Sequence, residues 1–289
     1  MRKVIGVITA RMASTRLPGK VLKEIAGKTN FAHHVERMKE VRGIDGVFLA
    51  TSIDSLNEGL IREAEKLGCG WYAGAEQDVV ERHIALCERE KSDAVIRVTC
   101  DCPLFDMESA SRFAEIFRDE YHDFIYVANV PVIYGTLSEL ISFNAMKEVH
   151  NHYKGPAVSQ YIRENMGEFK TSGIEVNNDL YRPEYRLTVD EQADLELIRH
   201  IYNALYKGKP ILLKDVYDWL DDNPEIAKIN RHVGVKGVNI QVANLTERPL
   251  FSIVKAGDRY MILDHQKKVV GSIDFLEKLR SLFPELEDK

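Results

Sequence analysis

Three short polar stretches of this 289-residue chain hold residue types that together could manage a phosphorylated substrate. The first, "ARMASTRLPGK" at 10–20, interleaves Arg11, Arg16 and Lys20 with Ser14 and Thr15, and Pro18 stiffens it. Guanidinium forks match phosphate oxygens two at a time, and an ammonium acts as a point charge. Hydroxyls and backbone N–H groups add short donors. The spacing is neither a Walker A loop nor the glycine pattern of a dinucleotide-binding turn, so the expectation is a polyphosphate cradle of another design. The plainer alternative is a solvated basic loop. The second stretch, "CDCP" at 100–103, carries Asp101, and the third, "VDEQADL" at 189–195, carries Asp190. Two carboxylates brought together by neighbouring strands suit a hard divalent cation such as magnesium. The competing role for Asp190 is an N-cap of the helix that begins near Glu191; Asp194 and Glu196 read as structural. No second Cys/His pair accompanies "CDC" at zinc-like spacing, and His33, His34, His150 and His152 read as helix or surface residues.

An alternation of strand and helix patterns positions these loops. "VIGVITA", "GVFLATS", "DAVIRVTCDCP", "FIYVANV" and "YRLT" read as short buried strands. "FAHHVERMKEV", "NEGLIREAEKLG", "EQDVVERHIALCERE" and "MESASRFAEIFRDEY" have helical spacing. The pattern predicts an α/β fold with a mainly parallel sheet and helices on both faces. Ligands on such sheets bind at the carboxyl ends of strands, where all three loops fall. "YGTLSELISFNAMKEV" and "PAVSQYIREN" read as helices, "DLELIRHIYNALY" as a long helix and "KDVYDWLDDNPEIAKIN" as a last helix and a turn. Beyond "RHVGVKGVN" the character changes to short β-type runs and a closing helix, "DFLEKLRSLFPEL". The expected division is a domain over 1–230 and a small α+β module over 231–289, with Phe251, Tyr260 and Ile262 in a β core. Homodimerisation, cover over an acceptor site and partner binding are the roles open to that module.

With 45% hydrophobic and 29% charged residues, the composition is that of a soluble globular protein. A net charge of −6 gives no support to a nucleic-acid or membrane-surface role. An acidic chain with one local basic loop points to a small anion. No apolar run reaches the roughly 18 residues of a membrane span, and the apolar N-terminal stretch runs directly into Arg11. Without an export signal, Cys69, Cys87, Cys100 and Cys102 read as reduced thiols of a cytoplasmic protein.

"ITARMASTRLPGKVLKEIAGKT", "ATS" at 50–52, "RVTCDCPLFD" and "YRLTVDEQADLELI" resemble the spore-coat polysaccharide synthesis protein F family. That family stands among the sugar-acid cytidylyltransferases, with the synthetases of CMP-sialic acid and CMP-deoxy-manno-octulosonate. The likeness runs from residue 1 to about 230. It implies a three-layer α/β/α nucleotidyltransferase domain, GT-A-like and Rossmann-related, with CTP in its pocket. By the same resemblance Ala10, Arg11, Ser14, Thr15, Arg16 and Lys20 cradle the triphosphate, and Thr51 and Ser52 lie near base and ribose. Asp101 matches the metal aspartate of a Gly-Asp-x-Pro motif in which Cys100 replaces the glycine, and Asp190 matches the second metal aspartate. Catalysis then rests on positioning and charge neutralisation by Mg2+, Arg11, Arg16, Lys20 and Asp101. Relatives carry a His and a Thr where this chain has Ala157 and Ser159, so the acceptor side departs from the pattern. Glu139 reads either as a sugar contact or as an exposed helix carboxylate.

The implied reaction is magnesium-dependent transfer of CMP from CTP to a sugar acid, with release of pyrophosphate, for surface glycan synthesis. The alternatives are a sugar-1-phosphate nucleotidylyltransferase using another nucleoside triphosphate, a GT-A glycosyltransferase, and a non-catalytic binding protein. Asp101 and Asp106 stand too far apart for the Asp-x-Asp motif of a glycosyltransferase.

Overall fold

The computed structural model describes residues 2–128, 135–155, 157–175, 182 and 185–233, and the strand backbones 251–256, 259–264 and 269–273. The chain divides into two compact units, Met1–Val233 and Gly234–Lys289.

The first unit is built on β1 (Val4–Thr9), whose side chains from Val4 to Ile8 are buried. A run buried on both faces is what a central parallel strand requires. After the basic loop come a small hairpin, β2 (Glu24–Ile25) and β3 (Lys28–Thr29), and helix α1 (Asn30–Lys39). Thr29 caps α1 by accepting a hydrogen bond from the Ala32 N–H. The chain continues through β4 (Val47–Ser52), α2 (Glu58–Lys66), β5 (Gly70–Gly74), α3 (Val79–Glu90), β6 (Ala94–Thr99), α4 (Met107–Asp119) and β7 (Phe124–Val127). It then forms β8 (Glu139–Ser142), α5 (Phe143–His152), α6 (Gln160–Glu164) and β9 (Thr171–Ile174). The seven-stranded sheet has the order β5-β4-β1-β6-β8-β7-β9. All neighbours are parallel except at β8, which runs antiparallel to both β6 and β7.

Helices α1, α2 and α4 cover one face through Phe31, Val35, Leu60, Phe113 and Phe117. Helices α3, α5 and α6 cover the other through Val80, Leu86, Met146, Val149 and Ile162. This is the expected three-layer α/β/α fold. A third cluster joins α7 (Gln192–Leu205) and α8 (Leu213–Asp222) to Leu104, Leu187 and Val189; a short helix α9 (Pro224–Ala227) follows. The second unit shows three antiparallel strands, β10 (Phe251–Ala256), β11 (Arg259–Asp264) and β12 (Val269–Ile273). The side chains expected in its core and the helix expected over 274–286 lie outside the described residues.

Several expectations change. The stretch read as one helix over 134–149 is strand β8 followed by α5, because Leu140 and Ile141 fill opposite faces of the sheet. "YRLT" contributes only a single bridge at Arg186 and is not a sheet strand. His33 and His34 are helix residues, as one of the two expectations had it, and both are buried in α1.

Candidate active site

Three elements bring the basic loop, Asp101 and Asp190 together. Ala10, 5% exposed, ties the loop's start to β4 through its N–H on Ala50 O. Asn57 then fixes the loop from the side: its Oδ1 accepts the Met12 N–H at 2.8 Å, and its amide donates to Ser52 O and Oγ. The sequence shows Asn57 only as a helix start; its grip on the loop depends on the fold. Gly19, at φ 66, makes the left-handed turn that swings Lys20 back toward the sheet. Among the described residues, no acceptor meets the backbone N–H groups of Arg11, Ala13, Thr15 and Arg16. Four free donors in one loop make a cradle for an anion.

The Asp101 loop is held from behind. Arg37, 1% exposed, donates to Phe105 O and Ile211 O, and the Tyr202 hydroxyl donates to Pro103 O at 2.7 Å. The buried Asn30 amide donates to Cys100 O at 3.0 Å and to Lys20 O at 3.4 Å, so one side chain spans both loops. Cys100, in place of the family's glycine, is accommodated because its thiol is buried and faces His34. Asp101 O accepts from the Val189 N–H at 2.7 Å and from the Thr188 hydroxyl at 3.0 Å. Those two bonds dock the third stretch and carry Asp190 to the site, although 187–189 lies outside the sheet.

The N-cap of α7 is Glu191, not Asp190. Asp194 serves the helix start, accepting from the backbone N–H groups of Asp190 and Glu191 and pairing with Arg186 at 2.8 Å. Asp190 is left to cations: Arg16 at 2.9 Å, Lys20 at 2.9 Å and Arg186 at 3.3 Å. Lys20 also lies 3.6 Å from Asp101 and donates to Val189 O. Burial works to lower the Lys20 pKa, but the carboxylates of Asp101 and Asp190 raise it overall. Burial works to raise that of Asp101, and Lys20 with hydrogen bonds from Thr99 and Cys102 outweighs it. The centre therefore balances Arg16, Lys20 and Arg186 against Asp101, Asp190 and Asp194.

The other expected residues sit differently. Arg11 turns away from Lys20 and pairs with Glu76 at 3.4 Å. Ser14 and Thr15 lie at the loop's open side, with Ser14 Oγ accepting from the Leu17 N–H. Thr51 and Ser52 are buried, so Ser52 acts on Asn57 and the Thr51 hydroxyl has no partner among the described residues. Glu139 is no exposed helix carboxylate. It stands on β8, 10% exposed at its side chain, between Arg97 at 2.8 Å and Arg163 at 3.3 Å. Asp106 caps α4, which removes it from any Asp-x-Asp pair.

Among the described residues, no group of three or more His, Cys, Asp or Glu side chains is placed to hold a metal. Two carboxylates sharing one ammonium nevertheless suit magnesium, which commonly takes its remaining ligands from phosphate and water. Burial holds the Cys100 and Cys102 thiols protonated, so neither is poised as a nucleophile. The basic loop thus meets a carboxylate pair beyond the carboxyl ends of β1 and β6, where sheets of this kind bind ligands.

The family model described as Cytidylyltransferase matches residues 5–214. The chain belongs to that family. It is 31% identical over 241 residues to a Methanocaldococcus jannaschii protein of unassigned function, covering 81% of this chain and 97% of that one. It is 27% identical to the spore coat polysaccharide biosynthesis protein SpsF of Bacillus subtilis, over 78% of this chain and 98% of that protein. The fold matches a cytidylyltransferase structure from Leptospira borgpetersenii with a TM-score of 0.72 and 24% identity, over 78% of this chain and 97% of that one.

Proposed function

We propose that this cytidylyltransferase transfers CMP from CTP to a sugar acid of the nonulosonate or octulosonate type and releases pyrophosphate. The observation that carries the reading is the Lys20 ammonium shared between Asp101 and Asp190, beside a loop with four free N–H donors. On nucleotide binding, Arg16 and Lys20 exchange Asp190 for phosphate oxygens, while the free N–H groups of Arg11, Ala13, Thr15 and Arg16 donate to the remaining triphosphate oxygens. Arg186 stays with Asp194 and Asp190 and keeps the second carboxylate in place. That exchange leaves Asp101 and Asp190 open to magnesium, which when bound supplies Lewis-acid polarisation and neutralises charge on the phosphates. The acceptor hydroxyl attacks the α-phosphorus in line, and the cationic loop stabilises the departing pyrophosphate.

The test is pyrophosphate release with each nucleoside triphosphate, magnesium and a panel of sugar acids and sugar 1-phosphates. Turnover with CTP and an acid is expected. Preference for another triphosphate with a sugar phosphate would replace this reading with the sugar-1-phosphate nucleotidylyltransferase.

A further inference from the structure

A second cationic cluster lies on the sheet face covered by α3, α5 and α6. Arg97 stands on β6, two residues before Thr99 and directly opposite Glu139 of β8. Residues two apart on a strand share a face about 7 Å apart, so Arg97 continues the polar row that begins at Asp101 and its partner Thr99. Arg163 of α6 reaches the other oxygen of Glu139 and lies over the rings of Phe124 and Tyr126. From α3, Arg82 is 2% exposed, and among the described residues its single hydrogen bond is a marginal 3.5 Å contact to Glu76 O.

Among the described residues these charges are not fully balanced from within. Glu139 alone serves Arg97 and Arg163, and Ser159 hydrogen-bonds it as well. Asp78 caps α3 and pairs with His150, while Glu76 pairs with Arg11. Glu81, and more weakly Asp78, attract Arg82 at longer range. The Nε atoms of both Arg82 and Arg97 are buried without hydrogen-bond partners among the described residues. The charges of Arg11 and Arg97, after burial itself, weigh against protonation of Arg82. Burying a guanidinium without a counterion is costly, and the cluster opens to solvent at Arg163 and Arg11, whose side chains are 39% and 45% exposed.

We propose that Arg82, Arg97 and Arg163 form the subsite for the acceptor's carboxylate, with Glu139 as the internal counterion that sets the arginine forks rather than as a sugar contact. The inference rests on the acceptor reading above and assigns its charged end to named residues. A carboxylate there directs the rest of the acceptor along β6 toward Asp101, where its hydroxyl meets the nucleotide.

Calorimetric titration without magnesium separates binding from turnover. The probes are 3-deoxy-manno-octulosonate, N-acetylneuraminate and glucuronate, each beside its neutral methyl ester, with glucose 1-phosphate as the phosphate arm. At least one acid is expected to bind about tenfold or more tightly than its ester. Arg97→Lys, which keeps the charge but loses the fork, and the half-exposed Arg163→Met should each weaken that acid about tenfold and leave CTP affinity within twofold. Circular dichroism confirms that both variants are folded. No preference for any acid over its ester, tighter binding of the sugar phosphate, unchanged acid affinity in both variants, or a parallel loss of CTP affinity would each overturn the subsite. Acid binding that depends on these arginines, without CTP-dependent pyrophosphate release, would sustain the subsite and strike the proposed reaction instead.

Discussion

Lys20 lies between two carboxylates, 2.9 Å from Asp190 and 3.6 Å from Asp101, and its charge offsets their mutual repulsion. The same feature explains why Asp190, with three cations around it, is the more tightly held of the pair. Asp101→Asn and Asp190→Asn should each lower kcat at least about 100-fold and raise the magnesium concentration needed for half-maximal rate, with far-UV circular dichroism unchanged. Near-normal turnover in either variant would remove that residue from the metal role. Two histidines give a separate, pH-linked signature. His83 is buried, its Nδ1–H donating to Val79 O and its Nε2 accepting from Thr9; burial, then Arg97, lowers its pKa to about 3. Burial likewise lowers that of His34 to about 4. Between those values and 6.5 the unfolded chain binds more protons than the folded one, so stability is full above 6.5 and falls as pH drops. The loss is up to about 1.4 kcal/mol per pH unit for each histidine. Urea midpoints at pH 7, 5.5 and 4.5 should decline steadily; a flat profile would show that these side chains are protonated in the fold.

At the scale of elements, the site depends on the docking of 187–190 against the Asp101 loop. Gly135 makes that approach possible: it sits at φ +107, and a Cβ there would come within 2.3–2.7 Å of the Leu187 and Thr188 backbone. Gly135→Ala should therefore cost about 2 kcal/mol or more and raise KM for magnesium–CTP, because the displaced segment carries Asp190. Gly167→Ala, where an added Cβ meets nothing within 4 Å, is the control and should shift the urea midpoint little. Strand β8 has a related role. By running antiparallel between β6 and β7 it sets Glu139 opposite Arg97, which a helix over the same residues would not do.

The molecule as a whole has two units, and the cytidylyltransferase match ends within the first. About four-fifths of this chain accounts for nearly all of each relative described above. Every site residue named here also lies before Val233. A chain ending at Val233 should accordingly unfold cooperatively and keep turnover within about threefold of the full chain. A collapse of turnover with folding intact would assign residues 234–289 a part in the reaction. Among the described residues, no helix is long and apolar enough to cross a membrane.

Local pattern was enough for the parallel α/β plan and for setting the basic loop and the Asp101 loop at the ends of β1 and β6, because hydrophobic periodicity and short polar motifs are written in adjacent residues; the third loop follows a segment outside the sheet. Contacts across long chain separations were not legible in that way. Asn57 looked like a helix start, Arg37 like an ordinary helix residue, and Glu139 like part of a helix, and nothing singled out Asn30. Only the tertiary structure decided that Asn30 spans two loops, that Arg11 pairs with Glu76, and that Arg97 and Arg163 share Glu139. The physical reason is that a buried polar side chain takes its role from the partners the fold brings within 3 Å of it, and those partners lie tens to more than a hundred residues away along the chain.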